Sequence, residues 1–449
     1  MSAQGFCGSL TQPGQTARIK KGPHGGNDRL NLIMKSKKAL NNYLRDFKCI
    51  RCSRDFLPEQ IQYTCPACGG NLDARYDYKE IGKKISPASL RSVRKPSIWR
   101  FRPFLPLKLA DSPIPLKVGM TPLTRAPNLG RKLGLDNLYI KNDGLNPSGS
   151  LKDRASFAVV AHCLEENVKQ ICAASTGNAG TSLACLAASV QLETMIFVPE
   201  TAPKAKMAQL LIYGAKVFAV RGSYTEAFEL CEQVSENLNW CNRNTGTNPY
   251  TREGKKTVSF EIWEQMAFEV PDFVIVSVGD GNIISGVYKG FFDLFETGFL
   301  DKLPRLVGVQ STGSAAITDA FNGDGVIRSV EAETVADSIS VSKPSDGEAA
   351  LMAVEKTDGK MIAVEDDMIL RATKSLAENE GIFAEPSGAA CLAGLERLVD
   401  EGVIHRDQSV ALIVTGNGLK DVESVRRVAG QPIIVDPDLG AVLKLLGIG

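Results

Sequence analysis

Lys152 is the residue with the clearest chemical potential. It follows the turn Pro147-Ser148-Gly149-Ser150-Leu151 and opens a run with helical character. A lysine held at such a turn points out of a cleft. Desolvation there lowers its pKa, and the neutral amine is a nucleophile toward an aldehyde. One lysine after one turn is ordinarily a surface residue, so its neighbours matter. Three more glycine-bearing turns follow β-branched runs: Ala174-Ser175-Thr176-Gly177-Asn178, Ser277-Val278-Gly279-Asp280-Gly281-Asn282-Ile283 and Thr415-Gly416-Asn417-Gly418. Backbone N–H groups in such turns at a helix N-terminus can cradle an anion. Each turn alone is weak evidence. Together with the lysine they sit at the C-terminal ends of expected strands, where open α/β sheets bind ligands.

A second constellation is sulfur. Cys49-Ile50-Arg51-Cys52 and Cys65-Pro66-Ala67-Cys68 are separated by twelve residues, with Gly69 and Gly70 after the second pair. Two such knuckles can bring four thiolates to one tetrahedral zinc ion, and four sulfurs leave no open position for substrate. The metal is therefore expected to be structural. Two reduced thiol pairs or redox disulfides are the alternative. A nucleic-acid-binding role for a zinc ribbon also stays open from these residues alone. No expected site residue of the turns lies in this module, so metal loss is expected to leave the larger site intact.

The elements that must position these groups alternate along the chain. Strands are expected at Leu138–Ile140, Gln170–Ala173, Thr194–Val198, Lys216–Ala219, Phe273–Val278, Arg305–Val309 and Val410–Val414. Helices are expected at Lys152–Glu165, Thr181–Ala188, Lys204–Tyr213, Tyr224–Asn237, Ile284–Glu296 and Met368–Asn379. This repetition predicts an α/β protein with mostly parallel sheets. Residues 1–45 read as a mobile basic arm and 46–80 as the zinc ribbon. The catalytic region is 81–449, with two interleaved α/β subdomains, the smaller at about 155–250. One amphipathic helix is expected over 29–47, with Leu30, Leu32, Ile33, Leu40 and Leu44 as its stripe.

The chain has 449 residues, a net charge of +1, eleven cysteines and three histidines. Near-neutral charge gives no field to recruit nucleic acid or an anionic membrane. No run of about 18 apolar residues suggests a membrane span, and the first residues lack the apolar stretch of a secretory signal. These features point to the cytoplasm. His24, His162 and His405 lie in no motif, which leaves little material for a histidine-dependent nucleophile. Cys7, Cys163, Cys172, Cys185, Cys231, Cys241 and Cys391 are read as free thiols in a reducing compartment.

The motif set resembles the fold-type II pyridoxal-phosphate (PLP) enzymes, tryptophan synthase β-like in fold, and within them the threonine synthases. The match runs through Gly119, Thr121, Pro122 and Leu123; Asn146 to Ala155; Ser175 to Asn178; Glu385-Pro386-Ser387-Gly388-Ala389-Ala390; and Thr415 to Asp421. The resemblance covers about residues 49–425, and a zinc-ribbon-like N-terminus occurs in some members. It implies that Lys152 carries PLP as a Schiff base and shuttles protons. Asn178 would bond the ring 3-oxygen, Gly279, Asp280, Gly281, Asn282 and Ile283 would hold the cofactor phosphate, and Thr415 would face the pyridine nitrogen. Ser150, Ser175 and Thr176 would bind the amino-acid substrate. The implied reaction is β,γ-replacement on O-phosphohomoserine, giving threonine and phosphate, in a homodimer.

The segment Thr245 to Lys256 departs from the family's substrate-phosphate pattern. Its arginine is displaced by one position, and Thr245 and Gly246 replace Asn and Ser. Arg252 and Lys255 are expected to rebuild the anion site. The alternative is a related elimination or replacement on phosphoserine, serine or threonine, cysteate synthase-like or dehydratase-like. A third reading is a zinc-ribbon binding protein on an inactive PLP fold, against which the intact Lys152, Asn178 and Thr415 count.

Overall fold

Three sheets organise the described residues. The computed structural model describes residues 43–60 and 63–448. The arm expected over 1–45 lies almost wholly outside the described residues, as do Cys7 and most of the helix expected over 29–47. The described end of that helix is a strand instead, β1 (Leu44–Cys49). Its burial follows a period of two rather than 3.6: Phe47 and Cys49 face inward, and the Phe47 ring lies 6.3 Å from that of Tyr250. β1 pairs antiparallel with β2 (Asp55–Phe56) and β3 (Leu72–Tyr76), giving a three-stranded sheet around the cysteine knuckles.

The largest sheet has six strands. Its order is β12 (Lys360–Val364), β11 (Arg305–Ser311), β10 (Phe273–Ser277), β13 (Ser409–Val414), β5 (Asn137–Asn142) and β4 (Leu123–Arg125). All pairs are parallel except β4 with β5. A separate four-stranded parallel sheet has the order β8 (Lys216–Val220), β7 (Glu193–Pro199), β6 (Gln170–Ala174) and β9 (Cys241–Asn242). Buried parallel strands explain the near-continuous apolar runs, such as Phe-Val-Ile-Val-Ser in β10, every residue of which is buried.

Helices cover both sheets. Those that build the site are α1 (Lys152–Glu165), α2 (Asn178–Ser189), α3 (Tyr224–Leu238), α4 (Pro249–Lys255), α5 (Thr257–Gln265), α6 (Asn282–Glu296), α7 (Gly347–Glu355) and α8 (Pro386–Asp400). α4 lies so close to α1 that a Cβ at Gly254 would sit 2.0 Å from the Arg154 carbonyl oxygen. Only glycine permits that approach.

One thiol expectation is corrected. Cys163, near the end of α1, and Cys241, on β9, form a disulfide rather than two free thiols. Both are buried where α1 meets the end of the small sheet. Cys172, Cys185, Cys231 and Cys391 remain free and buried. Among the described residues, no helix is long and apolar enough to cross a membrane.

Candidate active site

The Lys152 turn is held by its own local bonds. Gly149 adopts φ +83°, a conformation open to glycine at little cost. The Ser148 N–H donates to Asp153 Oδ2 at 2.7 Å, and the Ser148 hydroxyl donates to the other carboxylate oxygen. The Leu151 N–H donates to the Thr415 carbonyl at 2.8 Å, and the Asn417 N–H to the Gly149 carbonyl at 2.9 Å. The lysine turn is thereby tied to the end of β13.

Beneath it lies a fully buried ionic base. Arg154 donates to Asp143 and Glu261, and Lys141 donates to Glu261 at 2.7 Å. Although burial disfavours its charge, Glu261 is held down at about 2 by Arg154 and Lys141. Breaking such a group leaves an unpaired charge in a dry interior, which is why it fixes the start of α1 firmly.

Above this base opens a cavity of about 920 Å³ between the two parallel sheets. That is room for a cofactor with an amino acid. Lys152, Ser175, Thr176, Asn178, Gly279, Asp280, Gly281, Asn282, Ile283 and Thr415 all line it. The structure thus brings together residues from four separate turns. Lys152 keeps part of its surface open to the cavity, and its amine has no hydrogen-bond partner among the described residues. Burial lowers its pKa; Asp280 and Glu385 oppose that shift, and Arg243 reinforces it.

The loop after β10 suits a phosphate. The backbone N–H groups of Gly279, Asp280 and Gly281 donate no hydrogen bond among the described residues, and Gly281 has φ +92° before α6 begins. Unpartnered donors at a helix start fit an anion. The loop is braced from behind by Asp346. Its N–H donates to the Asp280 carbonyl at 3.0 Å, and its carboxylate accepts from Asn282 Nδ2 at 2.8 Å and the Ser285 hydroxyl at 2.6 Å.

Three expected residues lie elsewhere. Ser150 is fully buried beneath the turn rather than on the cavity wall. Arg252 sits behind the phosphate loop, where Asp346, Ser285 and the Leu72 carbonyl occupy its guanidinium. Lys255 donates to Asn282 Oδ1, and burial together with the nearby Lys152 pushes its pKa well down. Both basic residues stand on α4 facing a buried network instead of the cavity.

Two cavity groups carry no role in the sequence reading. Glu385 lies in the Glu-Pro motif and lines the cavity, where it accepts from Asn178 Nδ2 at 2.7 Å. Burial raises it to about 7, against the pull of Lys420, Asn178 and Lys152. Arg243 also lines the cavity, is 1% exposed and directly follows β9. No motif marks it. Its position at the end of a short strand, level with the other turns, was the available signal.

The cysteine knuckles also converge. The sulfur atoms of Cys49, Cys52, Cys65 and Cys68 lie within 4.8 Å of one another. Cys49 to Cys68 is 3.5 Å and Cys52 to Cys65 is 3.6 Å. A tetrahedral zinc with sulfur at about 2.3 Å requires separations near 3.8 Å, so this donor set fits zinc. Gly70 must be glycine, because a Cβ there would lie 2.9 Å from Cys49 Sγ.

Residues 114–416 match the model of the family described as pyridoxal-phosphate dependent enzyme. The chain is 39% identical to threonine synthase of Methanocaldococcus jannaschii over 402 residues, which is 89% of this chain and 98% of that protein. It is 37% identical to threonine synthase of Methanosarcina acetivorans, with the same shares covered. In fold it is similar to threonine deaminase isoform 2 from Solanum lycopersicum, with a TM-score of 0.61 and 23% identity over 69% of this chain and 83% of that one. The buried lysine, the donor-rich loop and this similarity agree: the chain belongs to the pyridoxal-phosphate dependent enzymes, as a threonine synthase-like member with a fold-type II architecture.

Proposed function

We propose that this enzyme converts O-phosphohomoserine to threonine and phosphate. The observation that carries the reading is the amine of Lys152, unpartnered and partly desolvated, on the wall of a cavity shared with an anion-suited loop. The extent and identity of the match to proteins named threonine synthase support it. Bound PLP would supply the electron sink that makes protons beside the amino group acidic.

The chain's own residues divide the remaining work. Gly279 to Ile283 would hold the cofactor phosphate at the start of α6. Asn178, steadied by Glu385, would bond the ring 3-oxygen. Thr415 would offer the pyridine nitrogen a neutral hydroxyl, which would not enforce a positive ring. Ser175 and Thr176 hold the substrate carboxylate in the turn before α2, where the Gly177 N–H donates to Ser175 Oγ at 3.3 Å. Lys152, with its pKa lowered, takes and returns protons at Cα and Cβ. The four cysteines hold one structural zinc, and the protein acts in the cytoplasm as a homodimer.

The second reading is elimination or replacement on phosphoserine, serine or threonine. It is favoured by the placement of Arg252 and Lys255, which leaves neither aimed at the cavity. One panel separates the two. Purified holoenzyme is given O-phosphohomoserine, O-phosphoserine, serine and threonine, and phosphate, keto acid and new amino acids are scored. Threonine with stoichiometric phosphate from the first compound is expected. Keto acid from free serine or threonine, without phosphate-dependent turnover, would overturn the proposal.

A further inference from the structure

Arg243 is a buried cation only partly used by the protein. Its Nε donates to Ser156 Oγ at 3.1 Å and its Nη1 to Thr245 Oγ1 at 2.7 Å. Its Nη2 is buried and has no partner, yet the residue lines the cavity. A guanidinium donor left open inside a protein calls for an acceptor, and a fork of donors suits a tetrahedral oxyanion. Of the buried basic residues close by, Arg252 is engaged by Asp346 and Lys255 by Asn282, and the remaining cavity cation apart from Lys152, Lys343, is exposed on the rim.

Arg243 enters from the end of β9 in the small sheet, whereas the phosphate loop follows β10 in the large sheet. Thr245, which holds the guanidinium, is joined to that loop by the Ser345 hydroxyl, which meets the Thr245 carbonyl at 3.2 Å and Asp280. The guanidinium therefore stands next to the cofactor-phosphate loop, at the start of the segment Thr245 to Lys256 read as the substrate-anion segment. Ser156, which also holds the guanidinium, is four residues beyond Lys152 on α1, about 6 Å along the axis. Four bonds separate Cα from phosphorus in O-phosphohomoserine, a span of about 5 Å at ordinary bond lengths. The three bonds of O-phosphoserine reach about 3.8 Å. Thr245 lines the same cavity, and its hydroxyl, which accepts from Arg243, keeps its own hydrogen to donate; those of Thr247 and Ser345 are donated to Glu232 and Asp280.

We propose that Arg243 is the specificity residue for the substrate's leaving group, its open Nη2 receiving a phosphate dianion carried on Cγ. This rests on the reading of O-phosphohomoserine as substrate. Arg243 thus takes over the role that the displaced Arg252 cannot fill.

The test uses holoenzyme and three readouts: steady-state kinetics with O-phosphohomoserine, inhibition by inorganic phosphate, and the Kd for PLP. Arg243→Gln should raise both the KM and the phosphate Ki by about 10- to 100-fold, the loss of one charged hydrogen-bonding partner. The PLP Kd should stay unchanged. Arg243→Lys should recover part of the loss. Unchanged KM and Ki would overturn the proposal, as would a raised PLP Kd with an unmoved Ki, since Arg243 would then serve the cofactor. If wild type does not turn over O-phosphohomoserine, the substrate reading falls by itself. Phosphate binding followed through the cofactor absorbance then decides for Arg243: binding lost in Arg243→Gln upholds an anion site, and binding absent or insensitive to the change rejects it. Should the variant fail to fold, a wild-type holoenzyme crystal soaked in selenate replaces it. An anomalous peak at the guanidinium supports the site, and a bare guanidinium overturns it.

Discussion

The wall behind the phosphate loop and the wall facing the cavity use the same kinds of residue to opposite ends. Behind the loop, Arg252 is paired with Asp346. Lys256 is paired with Glu253 and Asp293, 4.2 Å from the Tyr76 ring centre, and Lys289 also meets Asp293. In the cavity, among the described residues, the Lys152 amine has no hydrogen-bond partner, and Arg243 has one open donor. Burial costs both sets of charge alike. Where the protein supplies every partner, the charges fix structure. Where it withholds one, the ligand supplies it. Charge in the sequence therefore points to function only after its partners have been counted.

The largest expected effect lies on the cavity side. Lys152→Ala should lower turnover by at least about 10⁴-fold, since it removes the group that carries the cofactor and moves protons. The thermal midpoint should fall little, because no protein group loses a hydrogen bond. In wild type, borohydride reduction should fix the cofactor on the Lys152 peptide, read by mass. Residual activity above one per cent in the variant would place the chemistry elsewhere.

The matching change behind the loop should act on folding. Arg252→Ala leaves Asp346 buried with its main counter-charge gone, which costs about 3–5 kcal/mol in comparable buried pairs. Urea unfolding measures it. A loss under 1 kcal/mol, with a large rise in KM, would restore Arg252 to the substrate and undo the contrast.

A smaller effect separates two buried carboxylates by pH. Glu261 is held at about 2 by its cations, whereas Glu385 is raised to about 7, above its ordinary 4.5. Between those last two values the folded state binds more protons than the unfolded chain. The stabilisation from Glu385 is thus complete below its ordinary value and is lost as pH rises through about 7. From pH 5.5 to 8.5 wild-type apoenzyme should lose about 2 kcal/mol relative to Glu385→Gln. Parallel urea midpoints for the two proteins across that range would show that Glu385 does not titrate there.

Much of this contrast was open to a reading of the sequence, and the limit has a physical cause. The turns were legible because glycine, proline and helix starts act locally: the helix expected at Lys152–Glu165 is the one found. Most of the expected cavity residues follow, since Ser175 to Asn178, Gly279 to Ile283 and Thr415 come directly after strands. Where Arg252 and Lys255 point was not legible, because their helix face is chosen by Asp346 and Asn282, which lie along the chain beyond the segment itself. The strand at Leu44–Cys49 went unseen because its partner, Leu72–Tyr76, lies beyond both cysteine knuckles. Arg243 follows a strand of only two residues, too short to leave a pattern.

The smallest effect crosses from the cysteine module to the cavity. The sequence alone suggested that the two are independent. In the structure Asn71, directly after the knuckle glycines, donates to Asp346 Oδ1 at 2.7 Å and to the Ser345 carbonyl at 2.8 Å. Asp346 in turn holds Asn282 and the Asp280 carbonyl of the phosphate loop. Arg51, between the first two cysteines, also pairs with Glu348 on α7, at 2.9 Å. That surface pair is exposed and contributes little, so the half-buried asparagine is the connection that matters. Asn71→Ala should therefore raise the PLP Kd roughly threefold to tenfold, the worth of one ordinary hydrogen bond. Chelation of the zinc proposed for the four cysteines should do the same, because the module has little core of its own to hold Asn71 in place. Chelating the Asn71→Ala protein should add nothing further if both act through this contact. Additive losses would mean that the metal steadies the loop by another route, and no loss from either would return the module to independence.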